Sequence, residues 1–226
     1  GVADIFRLPK FSLSFFRTQI AEGSMLPSGK MPYEVFIPAY RDEILSETVM
    51  VYGNVDEVEL VLNGKTIRRQ TADKGPDSDY IPVPNGGNGK NLHFPPFTFY
   101  GVPKERGVLK AVGYHQGKKV AEYTVKTPGV PERLDITYFE SGKPATKNDL
   151  LIVYVRMLDK QGVLCPVNGI PVELSVQGGE IVGPTSYPLE AGVASFLVRT
   201  GEISKININA TGKGFSTRKS LKVGKE

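Results

Sequence analysis

Glu57 and Glu59 have the side chains needed for acid–base chemistry. A general acid and a general base must each lie within hydrogen-bond reach of the reacting group. The two glutamates alternate with Val58 and Leu60, a pattern typical of a strand with one buried face. On such a strand they would stand side by side, about 6.5–7 Å apart, on the outer face. We therefore expect both to be solvated surface groups and not a catalytic pair.

Metal binding and nucleophilic catalysis also have few candidate residues. Asp77 and Asp79 could bind calcium with loop carbonyls, but no glutamate completes the shell. Cys165 is the single cysteine, which excludes an internal disulfide and a cysteine-based metal site. A nucleophilic thiol needs a positioned base, and His93 and His115 lie in no recognisable motif. We predict no catalytic residue, no metal and no cofactor in this chain, and a buried structural thiol at Cys165.

Exposed aromatic rings could instead bind a carbohydrate, because a ring offers an apolar face to the C–H groups of a sugar. Most of the phenylalanines fall at inward-facing strand positions and are expected in the core. Tyrosines at strand ends or in a loop are the candidate sugar contacts: Tyr40, Tyr80 and Tyr100. A carbohydrate-binding module, or a cell-surface interaction module, therefore stands as the alternative to a purely structural role.

Nucleic acids and membranes are not expected partners. The net charge of +4 is spread along the chain, and the basic run at Lys118-Lys119 is typical of a solvated strand edge. The glycine-rich run Asn85–Lys90 lacks the ending and the following helix of a phosphate loop. No apolar run reaches membrane-spanning length. Because residue 1 is glycine and not methionine, we expect a piece of a longer protein.

Strands are the elements that must position these residues. The 25 glycines and 17 prolines, with almost no long helical periodicity, favour an all-β fold. Alternating apolar residues and tight turns such as Asn63-Gly64 predict strands at 33–38, 48–53, 58–62, 66–71, 96–101, 108–114 and 119–126. A second set is predicted at 134–138, 150–158, 171–176, 193–198, 205–211 and 216–223. The segment 127–131, with two prolines around a glycine, separates the sets and predicts two immunoglobulin-like β-sandwich domains.

The first twenty residues predict one short N-terminal helix, from about residue 8 or 9 to 20, with Pro9 in its first turn. Its apolar residues fall on two sides: Leu8, Phe11 and Phe15 on one, and Leu13, Phe16 and Ile20 on the other. An amphipathic surface helix has a single apolar stripe. We therefore expect more protein to cover this helix, with Phe11, Phe15 and Phe16 in the interface.

Several motifs carry a resemblance to a known family. Residues 4–10 (DIFRLPK) resemble the last helix of the catalytic barrel in glycoside hydrolase family 2, the β-galactosidase and β-glucuronidase family. Many bacterial members have an immunoglobulin-like domain after the barrel, and five segments resemble it: 51–54, 56–65, 95–99, 107–113 and 126–129. Five further segments resemble an invasin-like domain: 155–162, 172–174, 178–179, 192–194 and 208–212. Phe99 stands where such domains often carry tryptophan, and the insertion at 72–91 is longer than expected.

The resemblance implies three regions: the barrel end and a connector (1–30), an immunoglobulin-like sandwich (31–127) and an invasin-like sandwich (128–226). Family 2 enzymes are retaining glycosidases, which use two carboxylates about 5 Å apart. By resemblance both are glutamates on barrel strands upstream of residue 1. The chain would then be a non-catalytic region of a periplasmic or secreted hydrolase of β-galactosides or β-glucuronides. Its expected partners are its own upstream barrel, a second copy through the helix, and a carbohydrate.

Overall fold

The protein is described here from a computed structural model, which covers residues 1–39, 47–73, 92–139 and 144–224. The chain divides into two compact units, Gly1–Thr127 and Pro128–Glu226. Almost all of the regular structure is strand, so the predicted all-β fold is confirmed. Among the described residues, no helix has the length and apolar character needed to cross a bilayer.

The first unit contains one helix and two packed sheets. Its elements are α1 (Phe11–Arg17), β1 (Met25–Leu26), β2 (Gly29–Lys30), β3 (Val35–Phe36), β4 (Thr48–Gly53), β5 (Glu57–Leu62), β6 (Lys65–Thr71), β7 (Phe97–Tyr100), β8 (Val108–His115) and β9 (Lys118–Lys126). Strands β1 and β2 form a small hairpin. One sheet has the order β3-β4-β7 and the other β6-β5-β8-β9. All the pairings are antiparallel, as in an immunoglobulin-like sandwich.

Alternation along β5 creates the core of this unit. Val58, Leu60 and Leu62 are buried against the opposite sheet, which contributes the fully buried rings of Phe97 and Phe99. The predicted turn follows β5, with φ of 51° at Asn63 and 81° at Gly64. Positive φ at both turn residues matches the right-handed twist of the two strands that the turn joins. The hairpin predicted at Asn63-Gly64 is therefore confirmed.

The side chain of Asn63 also reaches strand β8. Its Oδ1 accepts a hydrogen bond of 2.9 Å from the Val108 N–H, and its Nδ2 donates one of 3.1 Å to the Arg106 carbonyl. Gly107 lies between these two partners with φ of 136°, and a Cβ atom there would overlap the Asn63 side chain. Only glycine therefore allows this close approach of the turn to β8.

The second unit is a sandwich of two four-stranded sheets. Its strands are β10 (Arg133–Tyr138), β11 (Leu150–Leu158), β12 (Pro171–Gln177), β13 (Gly179–Ile181), β14 (Ser186–Pro188), β15 (Val193–Thr200), β16 (Lys205–Gly212) and β17 (Phe215–Lys222). The sheet orders are β10-β11-β15-β13 and β14-β12-β16-β17. Strand β11 is central, as its apolar sequence predicts, and it places Val153 and Val155 in the core with Phe196 of β15.

Two buried polar groups support the start of the second unit. The thiol of Cys165 is buried 3.7 Å from the Gly129 carbonyl, so the prediction of a buried structural cysteine is confirmed. The carboxylate of Asp159 accepts hydrogen bonds from the backbone N–H groups of Gly129, at 2.7 Å, and Val163, at 2.8 Å. These contacts tie the segment that enters the unit to the turn after β11.

Helix α1 is shorter than the predicted 8 or 9 to 20. Upstream, the Asp4 carboxylate accepts hydrogen bonds from the N–H groups of Phe6 and Leu8, and Arg7 has φ of 62°. This turn holds residues 4–8 in a non-helical conformation, and Lys10 is still extended. At the other end, the hydroxyl of Thr18 donates to the Phe15 carbonyl. The helix therefore begins at Phe11 and ends at Arg17.

Candidate interface

One side of α1 packs on the first sandwich through aromatic edges. Phe11 meets Phe36 of β3 with ring centroids 5.6 Å apart at 62°. Phe15 meets Tyr52 of β4 at 5.0 Å and 88°. Such edge-to-face pairs contribute about 0.5–1.5 kcal/mol beyond their area of burial. Two of the three predicted interface phenylalanines thus contact the sandwich of their own unit.

Polar contacts also hold the helix and the residues that follow it. The Nε of Arg17 lies 3.0 Å from both carboxylate oxygens of Glu34, and Nη2 also contacts Oε1. The Gln19 side chain and the Phe94 backbone exchange two hydrogen bonds, of 3.0 and 3.1 Å. A guanidinium that contacts both oxygens of one carboxylate adds orientation as well as energy. The helix is therefore fixed in one orientation on the sandwich.

Asn54 holds the connector that follows the helix. Its buried Nδ2 donates to the carbonyls of Ile20, at 2.9 Å, and Pro32, at 3.0 Å. Its Oδ1 accepts a hydrogen bond of 2.6 Å from the Glu34 N–H. One amide side chain therefore joins the residues just after the helix, the connector and the segment before β3.

The N-terminal segment also presents apolar side chains to solvent. Phe16 is 55% exposed, Ile5 89% and Met25 73%. Among the described residues ten large hydrophobic side chains are exposed, and half of them fall within the first 25 positions: Val2, Ile5, Phe11, Phe16 and Met25. Of the three phenylalanines, Phe16 is therefore the one best placed to contact another protein surface.

Of the predicted sugar contacts, the structure describes Tyr100. Tyr100 is half-buried at the end of β7, opposite Thr48. Tyr40 and Tyr80 lie outside the described residues, as do Asp77, Asp79 and the run at 85–90.

The two glutamates of β5 lie on the outer face of the sheet in separate polar contacts. Glu59 accepts hydrogen bonds from the hydroxyls of Thr66, at 2.6 Å, and Tyr114, at 2.7 Å. These bonds lower the pKa of Glu59 below its usual value, and the bond from Thr66 has the largest effect. Glu57 pairs with Arg69 at 2.5 Å. A glycosidase general acid needs a raised pKa, so Glu59 does not have the environment for that role.

Comparisons with known proteins agree with this architecture. A family model described as "Domain of unknown function (DUF4982)" matches residues 46–121. A β-galactosidase from Thermoanaerobacter pseudethanolicus is 31% identical over 212 residues, which cover 88% of this chain and 26% of that relative. A β-galactosidase from Rhizobium radiobacter is 30% identical over 129 residues, or 56% of this chain and 92% of that relative.

The fold of the whole chain recurs in a solved structure. A β-glucuronidase from glycoside hydrolase family 2 matches with a TM-score of 0.77 at 21% identity, over 100% of this chain and 23% of that one. The chain thus spans about a quarter of the length of this enzyme and of the Thermoanaerobacter relative. The chain belongs to glycoside hydrolase family 2, the β-galactosidase and β-glucuronidase family, and it corresponds to a C-terminal accessory region of such enzymes.

Proposed function

We propose that this chain is the non-catalytic C-terminal region of a retaining glycoside hydrolase, and that its N-terminal segment docks on the catalytic domain. Residues 1–30 would be the barrel end and connector, 31–127 the immunoglobulin-like domain and 128–226 the invasin-like domain. The names of the relatives point to β-galactosides or β-glucuronides as the substrates of the parent protein. The role of the chain itself is to brace the barrel.

An exposed phenylalanine on a fixed helix supports the docking role. Phe11, Phe15 and Arg17 hold the helix on the sandwich, so the orientation of its remaining side chains is fixed. Phe16 packs edge-to-face on Phe15 with ring centroids 5.5 Å apart and is still 55% exposed, and Ile5 is the most exposed of the large apolar side chains in the described segments. A rigid surface with exposed apolar side chains loses little conformational entropy when another domain covers it.

A Phe16→Asp substitution in the full-length parent tests the docking. Complete burial of a phenylalanine contributes about 1.5–3 kcal/mol, so covering the exposed half of Phe16 is worth about 1 kcal/mol. The charged replacement adds the cost of burying a carboxylate. We expect a lower thermal midpoint and faster proteolysis between barrel and sandwich, with a loss of hydrolytic activity that follows the lost structure.

Val130→Asp is the matched control, because Val130 is 83% exposed and lies outside the strands. It introduces the same charge at an exposed apolar residue and should leave stability and activity unchanged. Equal behaviour of the Phe16→Asp and wild-type parents would contradict the docking role. A second copy of the chain is the other candidate occupant of this surface. Light scattering that shows a dimer of the isolated chain, converted to a monomer by Phe16→Asp, would assign the surface to self-association instead.

A further inference from the structure

A groove lies between α1 and strand β9 in the first unit. Ser14 and Arg17 line it from the helix, Tyr33 and Glu34 from the segment before β3, and Glu122 and Tyr123 from β9. Its volume is about 330 Å³. Ligand pockets of proteins range from about 300 to 1,000 Å³, so the groove is large enough for a small ligand or for one unit of a longer one.

Two aromatic rings in the groove are held in place by neighbouring rings. Tyr33 stacks on His115 with centroids 4.9 Å apart at 28°. Tyr123 packs edge-to-face on Phe36 at 5.3 Å and 78°. Side chains fixed in this way lose little rotamer freedom when a ligand binds. Tyrosine also combines an apolar face with a hydroxyl group, which suits a ligand that has both C–H and O–H groups.

The ion pair at the groove carries no net charge. Arg17 of α1 pairs with Glu34, and both residues line the groove. The guanidinium and the carboxylate offset each other, so this pair favours neither an anionic nor a cationic ligand. The pairing is the reason to expect a neutral ligand here.

Hydrogen-bonding capacity remains in the groove. The Ser14 hydroxyl can donate or accept, and the Glu34 carboxylate has lone pairs beyond those that Arg17 uses. The Glu122 carboxylate does not contribute, because Glu122 precedes Tyr123 on β9 and its side chain points to the opposite face, where it contacts Lys110 and Lys119. Hydroxyl groups need both kinds of partner, and the groove supplies them beside two aromatic rings.

We propose that this groove binds a neutral sugar unit of a glycan chain. The C–H face of the sugar would lie on the tyrosine rings, and its hydroxyls would bond with Ser14 and Glu34. The sugar site is a function separate from docking, and it does not use Phe16, the key residue of the docking role. Successive helix residues are about 100° apart, which places Phe16 on a different side of α1 from Ser14.

Affinity electrophoresis of the whole 226-residue chain tests the ligand class. One gel contains a neutral β-1,4-galactan, a second contains polygalacturonate and a third no polysaccharide. We expect retardation in the galactan gel alone. Retardation in neither polysaccharide gel, or in the polygalacturonate gel to the same or a greater extent, would overturn the proposal of a neutral sugar site.

Two variants test the location. Tyr123→Ala removes an aromatic face, and we expect the apparent affinity to fall about tenfold, since such contacts are worth up to about 1.5 kcal/mol. Ser14→Trp fills the groove without removing a contact of the core, so it tests the site even if Tyr123→Ala does not fold. Thermal melts followed by circular dichroism report the folded state of each variant.

Tyr187→Ala is the matched control, because Tyr187 is a half-buried tyrosine that packs edge-to-face on Phe196, as Tyr123 does on Phe36, and it does not line the groove. It should bind galactan as the wild-type chain does. Galactan binding that survives Ser14→Trp, or that disappears in Tyr187→Ala, would place any sugar site elsewhere. The Phe16→Asp chain should also bind normally, so failure of the sugar site and failure of the docking role give separate results.

Discussion

Asp159 is a charged residue that is only 1% exposed, and backbone N–H groups stabilise its carboxylate. Its carboxylate accepts hydrogen bonds from the backbone N–H groups of Gly129 and Val163. These bonds lower the pKa of Asp159 below its usual value, and the bond from Gly129 has the largest effect. A carboxylate held by several N–H groups is stabilised in its ionised form. The second unit therefore depends on the charge of this residue.

The stability of the second unit should fall in acid for this reason. Because the pKa of Asp159 is lower in the folded state, its stabilisation is fully present above the unfolded pKa of about 3.9. It is lost as the pH falls through the folded value. We expect the urea midpoint of the wild-type chain to fall below about pH 4. Asp159→Asn should have a lower midpoint at pH 7 and a shallower decline in acid.

Glu132→Gln is the control for this titration, because Glu132 is an exposed carboxylate in the same unit. Its urea midpoints should follow those of the wild-type chain from pH 3 to pH 7. If Asp159→Asn and the wild-type chain lost stability in parallel over that range, Asp159 would not be the responsible group.

Strands with a clear apolar alternation could be predicted from sequence almost residue by residue. Strand β4 occupies the predicted 48–53, and β11 occupies the predicted 150–158. Strands β13 and β14 were missed because each has three residues, too few for an alternation to be recognised. The end of β14 at Pro188 also lacks a backbone N–H that a typical strand residue would donate.

The contacts that orient α1 could not be predicted, because they join residues distant in sequence. Asn54 contacts a carbonyl 34 positions upstream, and Gln19 pairs with Phe94, 75 positions away. The groove could not be predicted either, since Tyr33 and Tyr123 come from separate elements that pack together. The apolar pattern of the helix predicts cover on two sides; the structure shows its packing on the sandwich, and cover of Phe16 by another protein surface stays a prediction.

Removal of the Asn54 side chain tests how the N-terminal segment is held. Asn54→Ala leaves two carbonyls and one N–H group without their partner in a buried region. A buried polar group left without a hydrogen bond costs about 1–3 kcal/mol. We expect a loss of stability of about that size in urea unfolding, together with faster protease cleavage within residues 1–30.

Asn207→Ala is the comparison for Asn54→Ala. Asn207 lies on β16, where its side chain accepts one surface hydrogen bond from the hydroxyl of Ser220. Substitutions of this kind usually change stability by less than about 0.5 kcal/mol. Similar effects of the two substitutions would show that Asn54 is not the residue that holds the N-terminal segment.

At the scale of the whole molecule, the chain has the size of one part of a larger enzyme. It spans 26% of the Thermoanaerobacter β-galactosidase that it resembles. Retaining hydrolysis needs two carboxylates about 5–5.5 Å apart, one of them with a raised pKa. Among the described residues, each carboxylate whose pKa shifts is shifted downward. The proposed function thus places the hydrolytic activity in another part of the parent.

The isolated chain should therefore release no nitrophenol from nitrophenyl β-galactoside or nitrophenyl β-glucuronide above the buffer rate. The full-length parent, assayed at the same molar concentration, should hydrolyse one of the two substrates. Activity of the isolated chain that Glu59→Gln abolishes would contradict the non-catalytic role, because it would assign acid–base chemistry to a residue on the outer face of β5.

The amide of Asn63 has a consequence for the order in which the first unit folds. The turn at Asn63-Gly64 is local and can form early, whereas its partner Val108 is 45 positions away along the chain. Contacts between distant positions form late, because the loop between them must first close. The turn with the strongest local preference therefore completes its hydrogen bonds only when β8 arrives. An isolated β5–β6 hairpin lacks these bonds, so we expect the first unit to fold cooperatively, without a stable hairpin intermediate.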